Sequence, residues 1–335
     1  MSETSFRSRR AVQIENDEVR LTILVEGGHI AEILHKASGV NPLWIPPWPS
    51  IEPSGFDPAK ITSYGNGPES KLLAGIMGHN VCVDLFGGPS DEEAAAGITV
   101  HGEASVLPYE ITAAEGDLHC SCHLPHSQLL FRRLLHLDGS RVRITESVEN
   151  LGLWDRPIAW QQHVSIGPPF LQHGRTRVET NVVRSQTYDG EFGDLFPQAV
   201  QFQWPDAPLR DGGVYDLSLF TDRKVSAGYT AHLAETSSET AGFRVTSADG
   251  TVAFGYEWRR ADFPWLGMWE ENCARQVAPW NGSTVALGLE FGVSPQPEPR
   301  RAMIQRGTLF GVPAYRWIPA RAVVSVSYEA FIEGI

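Results

Sequence analysis

The sequence predicts an all-β chain, folded as one large antiparallel β-sandwich over residues 1–335. Three observations lead there. Apolar residues alternate with polar ones in several separate runs, Asp-Gly pairs sit between such runs, and 32 glycines with 23 prolines leave little uninterrupted sequence for long helices.

Val19, Leu21, Ile23 and Val25 recur at every second position and predict a half-buried strand near the start. Ser90 followed by Glu93 and three alanines has the pattern of a capping box, the best helix signal in the chain and a short one. Asp138-Gly139 then joins the run at 131–137 to that at 141–148, where Val142, Ile144 and Val148 alternate. Asp249-Gly250 likewise joins 243–247 to 251–258, which carries Val252, Phe254, Tyr256 and Trp258. Both pairs predict sequential antiparallel hairpins. Val324, Val326 and Tyr328 mark a last strand. With no internal repeat, heptad, low-complexity tract or linker, and 42% hydrophobic residues to fill a core, a single domain is expected.

Composition removes several classes of function. A net charge of -13 with scattered basic residues opposes phosphate backbones, so nucleic acid is not an expected partner. The least charged stretch, 72–83, contains His79 and Asn80 and is too short to cross a bilayer, so no membrane partner is expected either. Residues 1–10 are polar, carry three arginines and lead into no apolar run, which predicts no secretory segment and a cytoplasmic location. Cys82, Cys120, Cys122 and Cys273 lack the density of a disulfide framework and are expected as thiols. His119, Cys120, Cys122 and His123 have the right atoms for zinc. On a strand, however, the two histidines face away from the two cysteines, so no metal is expected.

Four segments carry a resemblance. The opening runs Glu15-Asn-Asp-Glu-Val-Arg-Leu-Thr-Ile-Leu-Val-Glu-Gly27-Gly28-His-Ile, followed by Ser38-Gly-Val-Asn-Pro-Leu-Trp44. Gly78-His79-Asn80 precedes His101-Gly102-Glu103. Asn150-Leu-Gly152 leads through Pro157 to Gln161-Gln-His163-Val-Ser-Ile-Gly-Pro-Pro-Phe170. Last comes Val285-Ala-Leu-Gly-Leu-Glu290, in which the glutamate alternates with Leu287 and Leu289 and so faces away from them. Together these resemble the galactose mutarotase-like superfamily, the aldose 1-epimerases and their relatives, whose fold is a supersandwich of the predicted kind. Two departures stand out: Phe291 occupies the place of a common proline, and Val164-Ser165-Ile166 replaces an aromatic-containing run.

The resemblance implies interconversion of sugar anomers without a cofactor. Opening a cyclic hemiacetal needs a base for the anomeric hydroxyl proton and an acid for the ring oxygen, tasks suited to a glutamate and a histidine near neutral pH. By that resemblance Glu290 is the base, His163 the acid and His101 a hydrogen-bond donor, with Asn80 and His79 as substrate contacts. Trp265, beside Pro264, is expected as an aromatic pocket wall, and Asp222 is assigned to sugar hydroxyls by position alone. The expected substrate is an unphosphorylated small-molecule sugar, because the chain's acidity disfavours a phosphate. The alternative is a noncatalytic carbohydrate-binding protein on the same fold, which would need hydroxyl partners but no acid and base. A glycoside-cleaving enzyme would need two flanking carboxylates. Only Glu290 lies in a recognisable motif. Neither the particular sugar nor the oligomeric state follows from the sequence.

Overall fold

The computed structural model describes residues 1–114 and 116–335. The predicted runs become strands of two facing sheets, and every pairing between described strands is antiparallel. The larger sheet has twelve strands. From one edge it runs Ser2–Phe6, Arg9–Glu15, Val19–Leu24, Ile30–His35, His79–Asp84 and Arg156–Ile166. It continues through Val285–Gly292, Trp265–Asn272, Ser226–Ala234, Val182–Thr187 and Gln201–Phe202, while Arg316–Ile318 pairs with the start of Arg156–Ile166. The second sheet has eight strands, ordered Arg177–Thr180, Thr240–Thr246, Val252–Arg259, Val323–Gly334, Arg141–Asn150, Leu129–Asp138, Asp117–Leu124 and Glu110–Ala114.

Strand periodicity explains the layers. Arg141–Asn150 alternates buried and exposed positions because only one of its faces meets the other sheet. Arg156–Ile166 is buried on both faces from Ile158 onward. One face, with Trp160, Val164 and Ile166, packs into the inter-sheet core; the other, with Gln161, His163 and Ser165, lies under a layer of connecting segments.

The expected hairpins form, with Asp138 opposite Arg141 and Thr246 opposite Ala253. The capping box is present too: the Ser90 hydroxyl accepts from the Glu93 amide, and the Glu93 carboxylate accepts from the Ser90 amide. Two further short helices, Ser70–Leu73 and Arg300–Arg306, belong to the layer covering the large sheet. Arg300 pins it there by donating to Asp84 at 2.7 Å and to Glu93 at 2.9 Å. Asp117–Leu124 buries Cys120 and Cys122 and exposes His119 and His123 on its other face. Among the described residues no helix is long and apolar enough to cross a membrane.

A polar network lies between the sheets, behind the central strand. Glu146 accepts hydrogen bonds from Arg133, Trp160, Gln162 and Tyr328, at 2.6 to 2.9 Å. His79 joins this network, with Nδ1 2.9 Å from the Tyr256 hydroxyl and Nε2 3.0 Å from the Gln162 side-chain oxygen. A buried carboxylate with four donors is fully satisfied, which lets an ion pair sit in the core without an orphaned charge.

Candidate active site

Cross-strand register assembles the site. His163 lies opposite Asn80 on one side and opposite Glu290 on the other, and Glu290 lies opposite Gly267. Paired residues of an antiparallel ladder point to the same face. His163 and Glu290 thus stand side by side on the outer face of the large sheet, with His163 Nε2 3.0 Å from Glu290 Oε1. Two glycines keep room around them. A Cβ at Gly288 would lie 2.7 Å from Glu290 Oε1, and one at Gly267 would collide with the Tyr229 hydroxyl.

These side chains form the floor of a cavity of about 300 Å³, at the small end of the range for small-molecule sites. Trp44, Trp269 and Trp280 form one wall, and Phe86, Tyr188, Phe192 and Tyr229 another. Trp44 is carried by the segment that pairs through its amide with the Ser165 carbonyl at 2.8 Å, and its ring lies nearly parallel to that of Trp280, at 11° and 6.2 Å. At the rim the Arg275 guanidinium covers the Trp280 ring at 3.3 Å, while its Nε donates to the buried Glu271 carboxylate at 2.7 Å. Cation–π stacking and an ion pair together hold that side chain in one orientation.

Burial sets the protonation of the central pair. It pushes the Glu290 carboxyl up to about 8 and the His163 imidazole down to about 4. Between these values the pair holds one proton, preferentially on Glu290, and His163 is neutral. His163 Nδ1 is then the N–H and donates to the Ser165 hydroxyl at 3.2 Å. His101 also lines the cavity, its ring edge-on to that of His163 with centroids 4.8 Å apart, and burial holds it neutral.

Of the residues singled out from sequence, Glu290, His163 and His101 line this cavity together. Asn80 shares their face of the sheet through its pairing with His163; its side chain is buried, and both polar atoms lack a protein partner. Three other residues lie away from the cavity. His79 is the strand neighbour of Asn80, so it points to the opposite face and serves the inter-sheet network. Trp265 has the same parity as Trp269 but lies on the other side of Gly267, where its Nε1 donates to the Pro313 carbonyl at 2.9 Å; Trp269 takes the wall position. Asp222 is exposed on a loop against Gly174, outside the cavity. Sequence reasoning did not single out Arg275 or Trp44; Trp269 and Trp280 belong to the tryptophans crowded before Glu290, among which it favoured Trp265.

No family model matches the chain, and no curated protein matches it significantly. Solved structures do resemble it. A galactose mutarotase-like protein from Clostridium acetobutylicum aligns at a TM-score of 0.65 and 14% identity, covering 100% of this chain and 98% of that one. A protein from Klebsiella pneumoniae provisionally named an aldose 1-epimerase aligns at 0.67 and 14% identity, covering 97% of this chain and 79% of its own. A galactose mutarotase-like protein from Lactobacillus casei aligns at 0.63 and 12% identity over 96% of this chain and 100% of that chain. The chain thus has the galactose mutarotase-like fold.

Proposed function

We propose that this protein, built on a galactose mutarotase-like fold, is an aldose 1-epimerase-type enzyme that interconverts the anomers of an unphosphorylated sugar. The observation that carries the reading is the buried Glu290–His163 pair at 3.0 Å, on the floor of an aromatic-walled cavity of sugar-ring size. A binding protein needs no such pair. Placing a carboxyl and an imidazole out of water is unfavourable, and perturbed groups of this kind concentrate at catalytic sites.

With one proton between them, the two groups always offer one acid and one base. Transfer of that proton from Glu290 to His163 leaves a carboxylate and an imidazolium without changing the net charge of the site. Glu290 then takes the proton of the anomeric hydroxyl while His163 protonates the ring oxygen; the bond between the anomeric carbon and the ring oxygen breaks and the anomeric carbon becomes the aldehyde. Rotation about the bond to the aldehyde carbon and reclosure, with both proton transfers reversed, give the other anomer. His101 and Asn80 supply hydrogen bonds to the sugar, and an indole face covers its apolar C–H face. Arg275 is already engaged by Glu271, and Glu69 and Glu191 also line the cavity, a charge balance that favours a neutral sugar over a phosphorylated one.

Exchange NMR on a panel of monosaccharides tests the reading directly. Catalysed anomer exchange is expected for at least one sugar, with a plateau between about pH 4 and about pH 8. The lower limb falls as His163 gains a proton and no base remains; the upper falls as Glu290 loses its own and no acid remains. Glu290→Gln should slow exchange by a factor of ~10² or more with little change in sugar affinity. Sugar binding with no exchange in the wild type would instead identify a binding protein.

A further inference from the structure

Cys82 lies on the site face of the His79–Asp84 strand, two residues beyond Asn80, and is fully buried. It is not among the residues that line the cavity, so it cannot meet a substrate. Its Sγ nevertheless lies 2.6 Å from Nδ1 of His101, which does line it. The backbone holds this approach: His101 adopts φ +68°, an unfavourable region for a side-chain-bearing residue, and is followed by Gly102 at φ +79°, where any Cβ would strike the Val83 carbonyl. A histidine held in that conformation against a strand-borne thiol has one ring nitrogen committed and the other left for the cavity.

We propose that Cys82 is a positioning residue whose thiol donates to Nδ1 of His101, so that His101 is held in the tautomer carrying its proton on Nε2, facing the cavity as a donor. The proton inventory agrees. Burial raises the Cys82 thiol well above its ordinary range, with Glu290 adding to the rise, and lowers His101 well below its own. The sulfur therefore keeps its hydrogen and the imidazole stays neutral, which excludes a thiolate nucleophile paired with an imidazolium. A neutral imidazole bonded at Nδ1 as acceptor has Nε2–H as its only donor. Among the described residues His101 has no other side-chain hydrogen bond to select that tautomer over one presenting a lone pair to the sugar. The catalytic consequence rests on the epimerase reading; the tautomer itself does not.

The test uses nitrogen-15 histidine labelling and long-range proton–nitrogen correlation spectra of the wild type, Cys82→Ser and Cys82→Val, with His101 assigned by loss of its signals in His101→Gln. The wild type is expected to show His101 protonated at Nε2, Cys82→Ser to retain that state through its hydroxyl, and Cys82→Val to show mixed tautomers. Anomer exchange in Cys82→Val should fall about tenfold in kcat, less than the ~10²–10³ that outright deletion of a transition-state donor removes, and Cys82→Ser should restore it. A wild-type spectrum with the proton on Nδ1 overturns the proposal without any variant, as does an unchanged tautomer in Cys82→Val. A tautomer that shifts as expected in a protein that catalyses no exchange leaves the thiol's role standing and removes the epimerase reading.

Discussion

Replacing Glu290 by glutamine should change how stability depends on pH, by an amount that follows from burial. In the folded chain the Glu290 carboxyl is raised from its ordinary 4.5 to about 8 because it is removed from water. Below pH 4.5 it is protonated whether the chain is folded or not, so its full contribution to stability is present. As pH rises past 4.5 the unfolded chain ionises at this position while the folded chain does not, and stability declines until about pH 8, where the folded carboxyl ionises too. At about 1.4 kcal/mol per pH unit, the window amounts to about 5 kcal/mol. His163 acts with the opposite sign. Its value is lowered from 6.5 to about 4, so its contribution is present above 6.5 and is lost as pH falls toward 4. The two effects cancel between 4.5 and 6.5, leaving the wild-type pair to lose about 2 kcal/mol between pH 6.5 and 8. Glutamine has no proton to lose. The stability difference, wild type minus Glu290→Gln, should therefore fall from pH 4.5 to 8 by about 5 kcal/mol where burial alone sets His163, while titrating groups remote from Glu290 cancel in the comparison. Urea unfolding of both proteins at pH 5, 6, 7 and 8 measures it. A difference that stays level across that range would mean Glu290 is ionised in the folded state at neutral pH, and the shared-proton account would be wrong.

Two further outcomes separate the cavity from the core. Arg275→Lys keeps a charge near Glu271 but loses the flat stack on Trp280, so sugar affinity by calorimetry should drop about tenfold; unchanged affinity would take Arg275 out of sugar binding. His79→Ala leaves the Tyr256 hydroxyl and the Gln162 oxygen short of a buried partner and should reduce stability in urea by about 2–4 kcal/mol, with exchange per folded molecule intact. A loss of exchange beyond the loss of folded protein would return His79 to the site.

The readability of this sequence followed the range of the interactions involved. Strand periodicity and the Ser90–Glu93 cap depend on neighbours a few residues apart and were legible. Parity along one strand was legible as well: Glu290 faces away from Leu287 and Leu289, which enter the inter-sheet core. The same rule, applied to His79 and Asn80, shows that adjacent strand residues cannot both reach one face. Choosing between Trp265 and Trp269 needed more than parity, since both have the right one; the choice depends on register with Val285–Gly292, set by contacts spread over the whole sheet. Arg275 was least legible of all. It follows the Trp265–Asn272 strand and is placed by stacking on Trp280 and by its bond to Glu271, neither of which has a sequence signature.

The floor of the cavity sits on three adjoining strands, and this has a bearing on misfolded forms. Slipping Val285–Gly292 by one residue against Arg156–Ile166 would turn Glu290 inward and Leu289 outward. His163 would then face a leucine, and the inter-sheet layer would receive a carboxylate where it had an aliphatic side chain. Chemistry and burial would fail in the same molecules. A preparation of this protein should therefore contain fully competent molecules and inert ones, with no class of intermediate activity between them. Active-site titration would count correctly paired sheets as faithfully as any spectroscopic measure of folding.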